Sequence, residues 1–253
     1  MNRGFTLLEM TVVVAVIAIV THLAMREIGH YRGEKLSQAA DRQLADVREA
    51  ARRFLSDVGR LPRLAAATNR EGETVWTLSE LWKRPSNLVE CRRVEKDGVN
   101  FAVGWKGPYL KLSFGRDRLL DPWGNPMELE DGAGLQRLWV SAEGVVTNVC
   151  HYGPSAQQFQ RRDISLVPDG GAEAELIVTV DAGAYQGPVV CSWYGPHENS
   201  LTNATATLAE AGGQMVFKGV PCGRKALKVT LDRSVIRLVD VTAPVTQIEI
   251  KVQ

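Results

Sequence analysis

Histidine and cysteine are the residues of this chain with the broadest chemistry, and neither type occurs at the spacing of a known reactive motif. The histidines form no HExxH pair and the cysteines form no CxxC pair. The sequence also lacks GxSxG, P-loop and complete GxGxxG motifs, which would indicate a nucleophile or a phosphate-binding loop. We therefore expect no enzymatic activity. The residues concerned are His22, His30, His151, His197, Cys91, Cys150, Cys191 and Cys222.

A single carboxylate, Glu9, stands inside the most apolar segment of the chain. Within residues 5–24, Glu9 is the only acidic residue and His22 is the only histidine. A helix of this length spans about 30 Å, the thickness of a bilayer core. A carboxylate is costly in that setting and is usually functional. The alternative is a glutamate at the membrane surface whose carboxylate reaches water.

The elements that must position Glu9 extend well beyond the apolar segment. Apolar residues recur at three- and four-residue spacing from Leu36 to Val58, and charged residues lie between them. This periodicity predicts an amphipathic helix, which Gly59 and Pro62 end. The continuous helix disfavours a cleaved secretory signal, and an all-apolar first half disfavours a buried core helix.

Composition excludes several other classes of protein. The chain has 253 residues, a hydrophobic fraction of 45% and a formal net charge of +1. A disordered chain would have fewer apolar residues and more net charge. A polybasic nucleic-acid-binding protein would be strongly positive, so we expect no nucleic-acid partner. The mean hydropathy of −0.12 is too low for a polytopic membrane protein.

The N-terminal residues Gly4-Phe5-Thr6-Leu7-Leu8-Glu9 resemble the prepilin motif shared by type IV pilins and type II secretion pseudopilins. The resemblance implies that residues 1–4 are a leader, which a prepilin peptidase removes by cleaving between Gly4 and Phe5. It further implies that Phe5 is N-methylated. Glu9 would then pair with the Phe5 amino group of a neighbouring subunit, which would neutralise both charges in an apolar filament core.

Two proline-rich motifs extend this resemblance to about residue 163. The segments 107–110 (GPYL) and 121–126 (DPWGNP) resemble the hallmark of the major pseudopilin family, and residues 59–62 resemble its turn after the long helix. The family implies a small antiparallel sheet packed on the helix, with strands at residues 127–129 and 138–140. The motif residues are Gly107, Pro108, Tyr109, Asp121, Pro122, Trp123, Gly124, Asn125 and Pro126.

The calcium-binding loop of that family is poorly matched. In the corresponding stretch, Ser141, Glu143 and Asp163 are the remaining oxygen ligands, whereas calcium needs six to eight oxygens. Arg161 and Arg162 would also oppose a cation. We therefore expect no cofactor, with calcium as a weak alternative.

The C-terminal third changes to period-two apolar patterns separated by glycine and proline turns. After a predicted linker at residues 164–172, about seven short strands at residues 173–253 predict a small β-sandwich. This part weakly resembles transthyretin-like or carboxypeptidase-regulatory-like modules, which implies no activity. Major pseudopilins end before such a domain.

The cysteines can be paired on the assumption that the globular parts lie in an oxidising periplasm. The simplest pairing is then Cys91–Cys150 and Cys191–Cys222. Four buried free thiols are the alternative, and a metal site is disfavoured by the spacing.

The sequence thus predicts an α+β protein of the pilin type with an added sandwich. The expected parts are a leader (1–4), a transmembrane helix half (5–25), a soluble helix half (26–58), a pseudopilin globular domain (59–163), a linker (164–172) and the sandwich (173–253). We expect a single-pass protein of the bacterial inner membrane with a cytoplasmic N-terminus and periplasmic globular domains. Its expected partners are the prepilin peptidase, copies of itself, other pseudopilins, an inner-membrane assembly platform and lipid. The alternatives are a minor pilin and a pilin-tethered module that binds a client protein, a glycan or another subunit.

Overall fold

The computed structural model describes most of the chain between Leu7 and Val252. The described residues are 7–63, 65–68, 74–112, 118–125, 127–131, 146–151, 162–167, 171–209 and 213–252. Within these ranges the chain forms one long helix, α1 (Leu7–Val58), a short 3-10 helix (Ser79–Leu81) and fourteen strands. A long N-terminal helix followed by a mostly β region agrees with the predicted α+β class.

The strands form five sheets. The first strands make two antiparallel hairpins, β1–β2 and β3–β4, and an antiparallel sheet β5–β6–β7. The later strands form a sheet in the order β10-β9-β12-β13 and a sheet in the order β11-β8-β14, in which β14 runs parallel to β8. Their bounds are β1 (Ala65–Thr68), β2 (Thr74–Thr77), β3 (Arg92–Lys96), β4 (Val99–Val103), β5 (Glu128–Asp131), β6 (Val146–His151), β7 (Arg162–Ser165), β8 (Glu173–Asp181), β9 (Val189–His197), β10 (Ser200–Leu208), β11 (Gln214–Pro221), β12 (Gly223–Thr230), β13 (Ser234–Val241) and β14 (Val245–Lys251).

Helix α1 has two halves with opposite environments. The large apolar side chains of its first half, from Leu7 to Tyr31, are exposed. In its second half the apolar residues predicted by the helical periodicity are buried, from Ala40 to Val58. At a rise of 1.5 Å per residue the whole helix is about 80 Å long. Among the described residues, α1 is the one helix long and apolar enough to span a membrane.

The second half of α1 forms a first core with the segments that follow it. Phe54 and Val58 pack there with Leu78 and Leu81, which belong to the region of the 3-10 helix. The DPWGNP region contributes to the same core from both of its ends, through residues 119 and 127. This core packs the segments between α1 and β8 against the second half of α1. The second half of α1 and these segments together are called the helix side.

Strands β8–β14 form two sheets that share a second core, as the alternating pattern predicted. On β8, Leu176, Val178 and Val180 are fully buried, and the residues between them are only half-buried. Core side chains of β11 and β14 lie beside them in the same sheet, and those of β9 and β12 come from the other sheet. Seven strands lie in the described residues from Glu173 onward, in agreement with the predicted count of about seven.

This β8–β14 unit is packed directly against the helix side of the molecule. Leu55 and Leu61 enter its core, although both belong to the end of α1 and the turn after it. On the outer face of the four-stranded sheet, Val99 and Val103 of the β3–β4 hairpin pack on Tyr194 in a third apolar cluster. The two halves of the β region therefore share buried surfaces.

The predicted linker at residues 164–172 is described at its two ends, and both ends are packed. Strand β7 continues to Ser165, and Leu166 is buried in the helix-side core. At the far end of the segment, the carbonyl of Ala172 accepts a hydrogen bond from the Cys222 amide at 2.9 Å. Proline and glycine break a strand, but they do not prevent the residues beside them from packing, so the described parts of this segment are fixed rather than free. Residues 168–170 lie outside the described part.

One of the two strands expected after DPWGNP can be assessed. The strand expected at 127–129 corresponds to β5, which begins one residue later at Glu128. The strand expected at 138–140 lies outside the described residues.

Candidate assembly and interaction sites

The N-terminal motif opens the long helix. Gly4 and Phe5 lie outside the described residues. Glu9 lies in the first turns of α1, where the structure describes its backbone but not its side chain. The side chains next to it, Leu7 and Leu8, are 87% and 75% exposed. The segment around Glu9 therefore presents apolar surface outward, as a lipid-facing or helix-packing segment requires.

The GPYL motif holds the 3-10 helix region against α1. The amides of Tyr109 and Leu110 both donate to the carbonyl of Leu81, at 2.8 and 3.0 Å. The Tyr109 ring meets Phe54 of α1 edge-on with the ring centroids 5.6 Å apart, and it meets Trp105 in the same way at 5.8 Å. The motif thus fixes an aromatic cluster on the last turns of the helix.

The Tyr109 hydroxyl connects this cluster to a carboxylate on α1. It accepts a hydrogen bond from the Lys106 amide at 2.9 Å, and its other side-chain partner is Asp57. Burial raises the pKa of Asp57, although the Lys106 charge and the Tyr109 hydrogen bond act in the opposite direction. Burial also raises the pKa of Tyr109, and the nearby Asp57 charge adds to the effect.

The DPWGNP motif forms a tight turn built around Asp121. The buried Asp121 carboxylate accepts hydrogen bonds from the amides of Trp123 and Asn125 at 3.0 and 2.7 Å, which is the geometry of an Asx turn. Gly124 adopts a φ of +94° at the turn. The Gln43 side-chain amide of α1 donates to the carbonyl of Leu120 at 2.7 Å and holds the turn on the helix.

The two motifs do not form one site. GPYL contacts α1 at Phe54, whereas the DPWGNP turn contacts it at Gln43. These positions are eleven residues apart on the helix, roughly 16 Å at 1.5 Å per residue. Pro122 and Trp123 are half-buried, and Pro126 lies outside the described residues. Both motifs therefore act as separate supports that fix the β region to the helix.

The predicted disulfides are not formed in the structure. Cys191 and Cys222 are both free and buried, and Cys91 is also free, so neither Cys191–Cys222 nor Cys91–Cys150 is bonded. Cys191 pairs in register with Val229, seven residues after Cys222, which stands just before β12; this is a separation of roughly 23 Å at about 3.3 Å per residue. A disulfide needs Cα atoms within about 7 Å. Burial raises the pKa of the Cys191 thiol to about 12, so this thiol is unreactive at neutral pH.

The candidate calcium ligands remain untested. Ser141 and Glu143 lie outside the described residues, and Asp163 lies on β7 with its side chain outside the description. In the part of the chain that the structure describes, no three His, Cys, Asp or Glu side chains come together as a metal site would require.

An ion-pair cluster at the end of α1 joins the helix side to the β8–β14 unit. The guanidinium of Arg60 donates to both carboxylate oxygens of Glu80, at 2.8 and 2.9 Å, and to Glu198 at 3.0 Å. The side chains of Arg60 and Glu80 are only 11% and 7% exposed. Burial lowers the pKa of Arg60, but the hydrogen bonds and charges of Glu80 and Glu198 outweigh it and raise that pKa above its ordinary value. Breaking such a buried pair typically costs 3–5 kcal/mol, as an order of magnitude.

Near this ion-pair cluster, the backbone at the end of α1 lies very close to the backbone at the end of β9. The amide of Glu198 donates to the carbonyl of Val58 at 2.7 Å. Gly59 has a φ of +83°, and a Cβ built on it would lie 2.0 Å from the carbonyl oxygen of Pro196. Any other residue at position 59 would push the β8–β14 unit away from the helix.

Polar contacts fix the β3–β4 hairpin and the loop before it to the same unit. The Asn199 side chain accepts from the Val89 amide and donates to the Asn87 carbonyl, both at 2.7 Å. The Tyr194 hydroxyl donates to Asp97 at 3.1 Å, at the tip of the hairpin. The junction is therefore a specific, hydrogen-bonded interface.

Sequence reasoning did not identify this junction, although two signals were available. Glu80 lies within an apolar helical segment between Leu78 and Leu81, which suggests a buried carboxylate in need of a cation. Lys225 lies two residues before Leu227 on β12. Alternate residues of a strand share one face of the sheet, so the Lys225 side chain points toward the core, as that of Leu227 does. Neither signal identifies the contact between the two halves, because Arg60 and Glu198 are 138 residues apart in sequence.

Comparison with known proteins bears on the N-terminal segment alone. Residues 1–25 match the prokaryotic N-terminal methylation motif. No curated protein and no solved structure matches the chain. The chain therefore carries a prepilin signal of the type IV pilin and pseudopilin type, which implies processing by a prepilin peptidase and assembly into pilus-like filaments. Together with the apolar first half of α1, the motif fits a single-pass anchor in the inner membrane.

Proposed function

We propose that this chain is a pseudopilin, a structural subunit of a periplasmic type II secretion pseudopilus that takes part in protein export. The observation that carries the proposal is the prepilin motif at residues 1–25, which leads into a helix with an exposed apolar first half and a packed second half. The GPYL and DPWGNP motifs favour secretion over a pilus. We propose a structural role with no catalytic step, a cytoplasmic N-terminus and periplasmic globular parts.

In this role Glu9 would fix the position of each subunit against the next. Cleavage after Gly4 would create a positively charged amino group on Phe5, close to the apolar segment. A carboxylate and an amine in an apolar filament core are each costly alone and stabilise each other when paired. Pairing between Glu9 of one subunit and Phe5 of its neighbour would therefore select one axial stagger, because any other stagger leaves both charges unpaired.

Replacement of Glu9 by alanine tests this mechanism. We expect Glu9→Ala to reduce recovery of the chain in sheared filaments by about tenfold or more, since an uncompensated buried amine costs several kcal/mol. Cysteine crosslinks between neighbouring helices should fall in parallel. Glu27→Ala is the matched control, because Glu27 is an exposed carboxylate of α1 beyond the apolar segment. Wild-type recovery and crosslinking of Glu9→Ala would exclude the charge pairing.

A second candidate is a minor or tip subunit, in which the pilin part delivers a binding module. The position of the β8–β14 unit favours it, because this unit covers the end of α1 farthest from the apolar segment, at Leu55 and Leu61. In a filament whose subunits stack along their helices, that bulk would crowd the next subunit. Immunogold labelling separates the candidates: label along the filament supports the first, and label confined to its end supports the second.

A further inference from the structure

A cleft of about 810 Å³ opens where the helix side and the β8–β14 unit meet. One wall is formed by the last turns of α1, the β3–β4 hairpin and the GPYL turn, including Arg53, Arg93 and Lys106. The other wall is formed by Arg224 of β12 and by Leu238 of β13 with its neighbours. Because both halves of the molecule contribute, the cleft exists only when they are packed together.

Strand β13 borders this cleft as an edge strand of its sheet that contains no bulge. It pairs with β12 on one side, in continuous register from Val241 to Ser234, and none of the described strands lies on its other side. Edge strands are usually protected by bulges, prolines or charges. The edge strand β11 has a register shift of this kind between Phe217 and Val220, whereas β13 has none.

The surface of β13 beside the cleft is also apolar. Ile236 and Leu238 are 47% and 60% exposed. The β3–β4 hairpin covers the neighbouring part of the same sheet face, where it buries Ala226 of β12. The hairpin thus leaves β13 open, and the outward side chains of a further strand paired with β13 would pack beside these two side chains.

The charges around the cleft indicate the character of that strand. Four basic residues line it against two acidic ones, Asp57 and Asp240. Arg93 and Lys106 are exposed and form no ion pair with any side chain in the described ranges. Arg224 contacts Asp240 at 3.5 Å with both side chains more than half exposed, a weak pair that an incoming carboxylate could replace.

We propose that the cleft binds an extended acidic segment of a partner protein, which adds as a strand to β13 and places carboxylates near Arg93, Lys106 and Arg224. Backbone hydrogen bonds to the free edge would supply affinity, and alternate side chains would supply specificity. The proposal deepens the second candidate function, since it names the class of partner for a binding module. It does not depend on how the filament assembles.

Anisotropy of fluorescein-labelled peptides binding to the full chain in detergent tests this proposal. The probes are a short peptide of alternating valine and glutamate, its valine–lysine counterpart, and an acidic version in which prolines block strand pairing. We expect the acidic peptide to bind about tenfold or more tightly than either of the others, because both charge and edge pairing are required. Comparable binding of the three peptides would overturn the proposal, as would tighter binding of heparin, a sulfated polysaccharide, than of the acidic peptide.

Substitutions in the cleft localise the effect. We expect the double variant Arg93→Glu/Lys106→Glu and the single variant Leu238→Ser each to weaken binding of the acidic peptide by about fivefold or more. The matched controls are Arg92→Glu, an exposed arginine on the same strand as Arg93, and Val216→Ser, an exposed aliphatic residue on β11. Equal affinities of cleft and control variants would overturn the proposal. Filament recovery of the same variants is measured separately, so failure of peptide binding is distinguishable from failure of assembly.

Discussion

Lys225 places an amino group in the interior of the β8–β14 unit. Its side chain is fully buried and lies over Gly195, whose missing side chain leaves the space. Its amino group donates to the carbonyl of Arg224 at 3.5 Å, and no carboxylate in the described part of the chain pairs with it. Burial lowers the pKa of Lys225 from 10.5 to about 8. At neutral pH the folded chain therefore carries an unpaired buried charge.

Replacement of Lys225 by methionine should stabilise the protein in a pH-dependent way. Below pH 8 the lysine is protonated in both the folded and unfolded states, and burial then costs on the order of 3 kcal/mol for this lowering of the pKa. From pH 8 to 10.5 the folded state loses the proton first, so the stability of the wild type rises toward that of Lys225→Met. Denaturant unfolding of both chains at pH 7 and pH 10.5 measures the difference. A constant difference across this range would contradict the assignment.

Gly59 tests the close contact between the end of α1 and β9. We expect Gly59→Ala to lower the free energy of unfolding by about 3 kcal/mol, because backbone strain at positive φ adds to the collision with Pro196. Gly98→Ala is the matched control, since Gly98 also has a positive φ, +77°, with open space around it. Equal losses in the two variants would show that strain alone acts at Gly59.

Gly33→Ala, in an open stretch of α1, should instead stabilise the chain slightly.

At the scale of elements, the β8–β14 unit and the helix side depend on each other. Removal of this unit would expose Leu55, Leu61, Val99 and Val103, all of them nearly fully buried in the full chain. It would also remove Glu198, one of the two carboxylates that hold Arg60. The unit is therefore part of the fold that supports the helix end.

A truncation that deletes residues 173–253 should therefore damage the part that remains. We expect the truncated chain to melt at a lower temperature than the full chain and to be cleaved by protease in the β3–β4 hairpin, because the surface covering that hairpin is lost. Circular dichroism and limited proteolysis measure both effects. A remaining part that melts like the full chain would contradict the packed junction. Val216→Ser is the control, since Val216 is exposed on β11 and does not line the cleft at the junction.

The elements themselves were predictable because their signals are local. Helical spacing from Leu36 to Val58 and the stop at Gly59 predicted the end of α1, and period-two alternation predicted the strands after Glu173. The limits of short elements were less accurate, as with the strand expected at 127–129, because their few residues carry little periodic signal. The helix signal is strong because it repeats over many turns.

The packing between elements was not predictable from such signals. The contact of Arg60 with Glu198 and that of Tyr194 with Asp97 join residues about a hundred positions or more apart in sequence. Periodicity shows which face of an element is buried, but it does not show what covers that face. The Cys191–Cys222 prediction failed for the same reason: the two residues share a core, but Cys191 lies opposite Val229 near the end of β12, whereas Cys222 lies just before β12 begins.

At the scale of the whole molecule, the chain combines an exposed apolar helix half with a packed unit at the opposite end. The first half of α1 has no packed partner within the described ranges, so lipid or other helices must cover its apolar surface. The prepilin motif accounts for this surface, because it implies first a membrane stage and then a filament stage. The second half and the β region then form the part that a filament would display.

The central claim, that the chain is a processed prepilin subunit, is tested most directly by the intact mass of the protein recovered from bacterial membranes. We expect a mass lower than that of the full chain by residues 1–4 and higher by the single methylene that N-methylation adds at Phe5. Gly4→Leu, expressed in the same cells, should retain its leader because cleavage after Gly4 would be blocked. A wild-type chain that keeps Met1–Gly4 or is cut after the apolar segment would contradict the account.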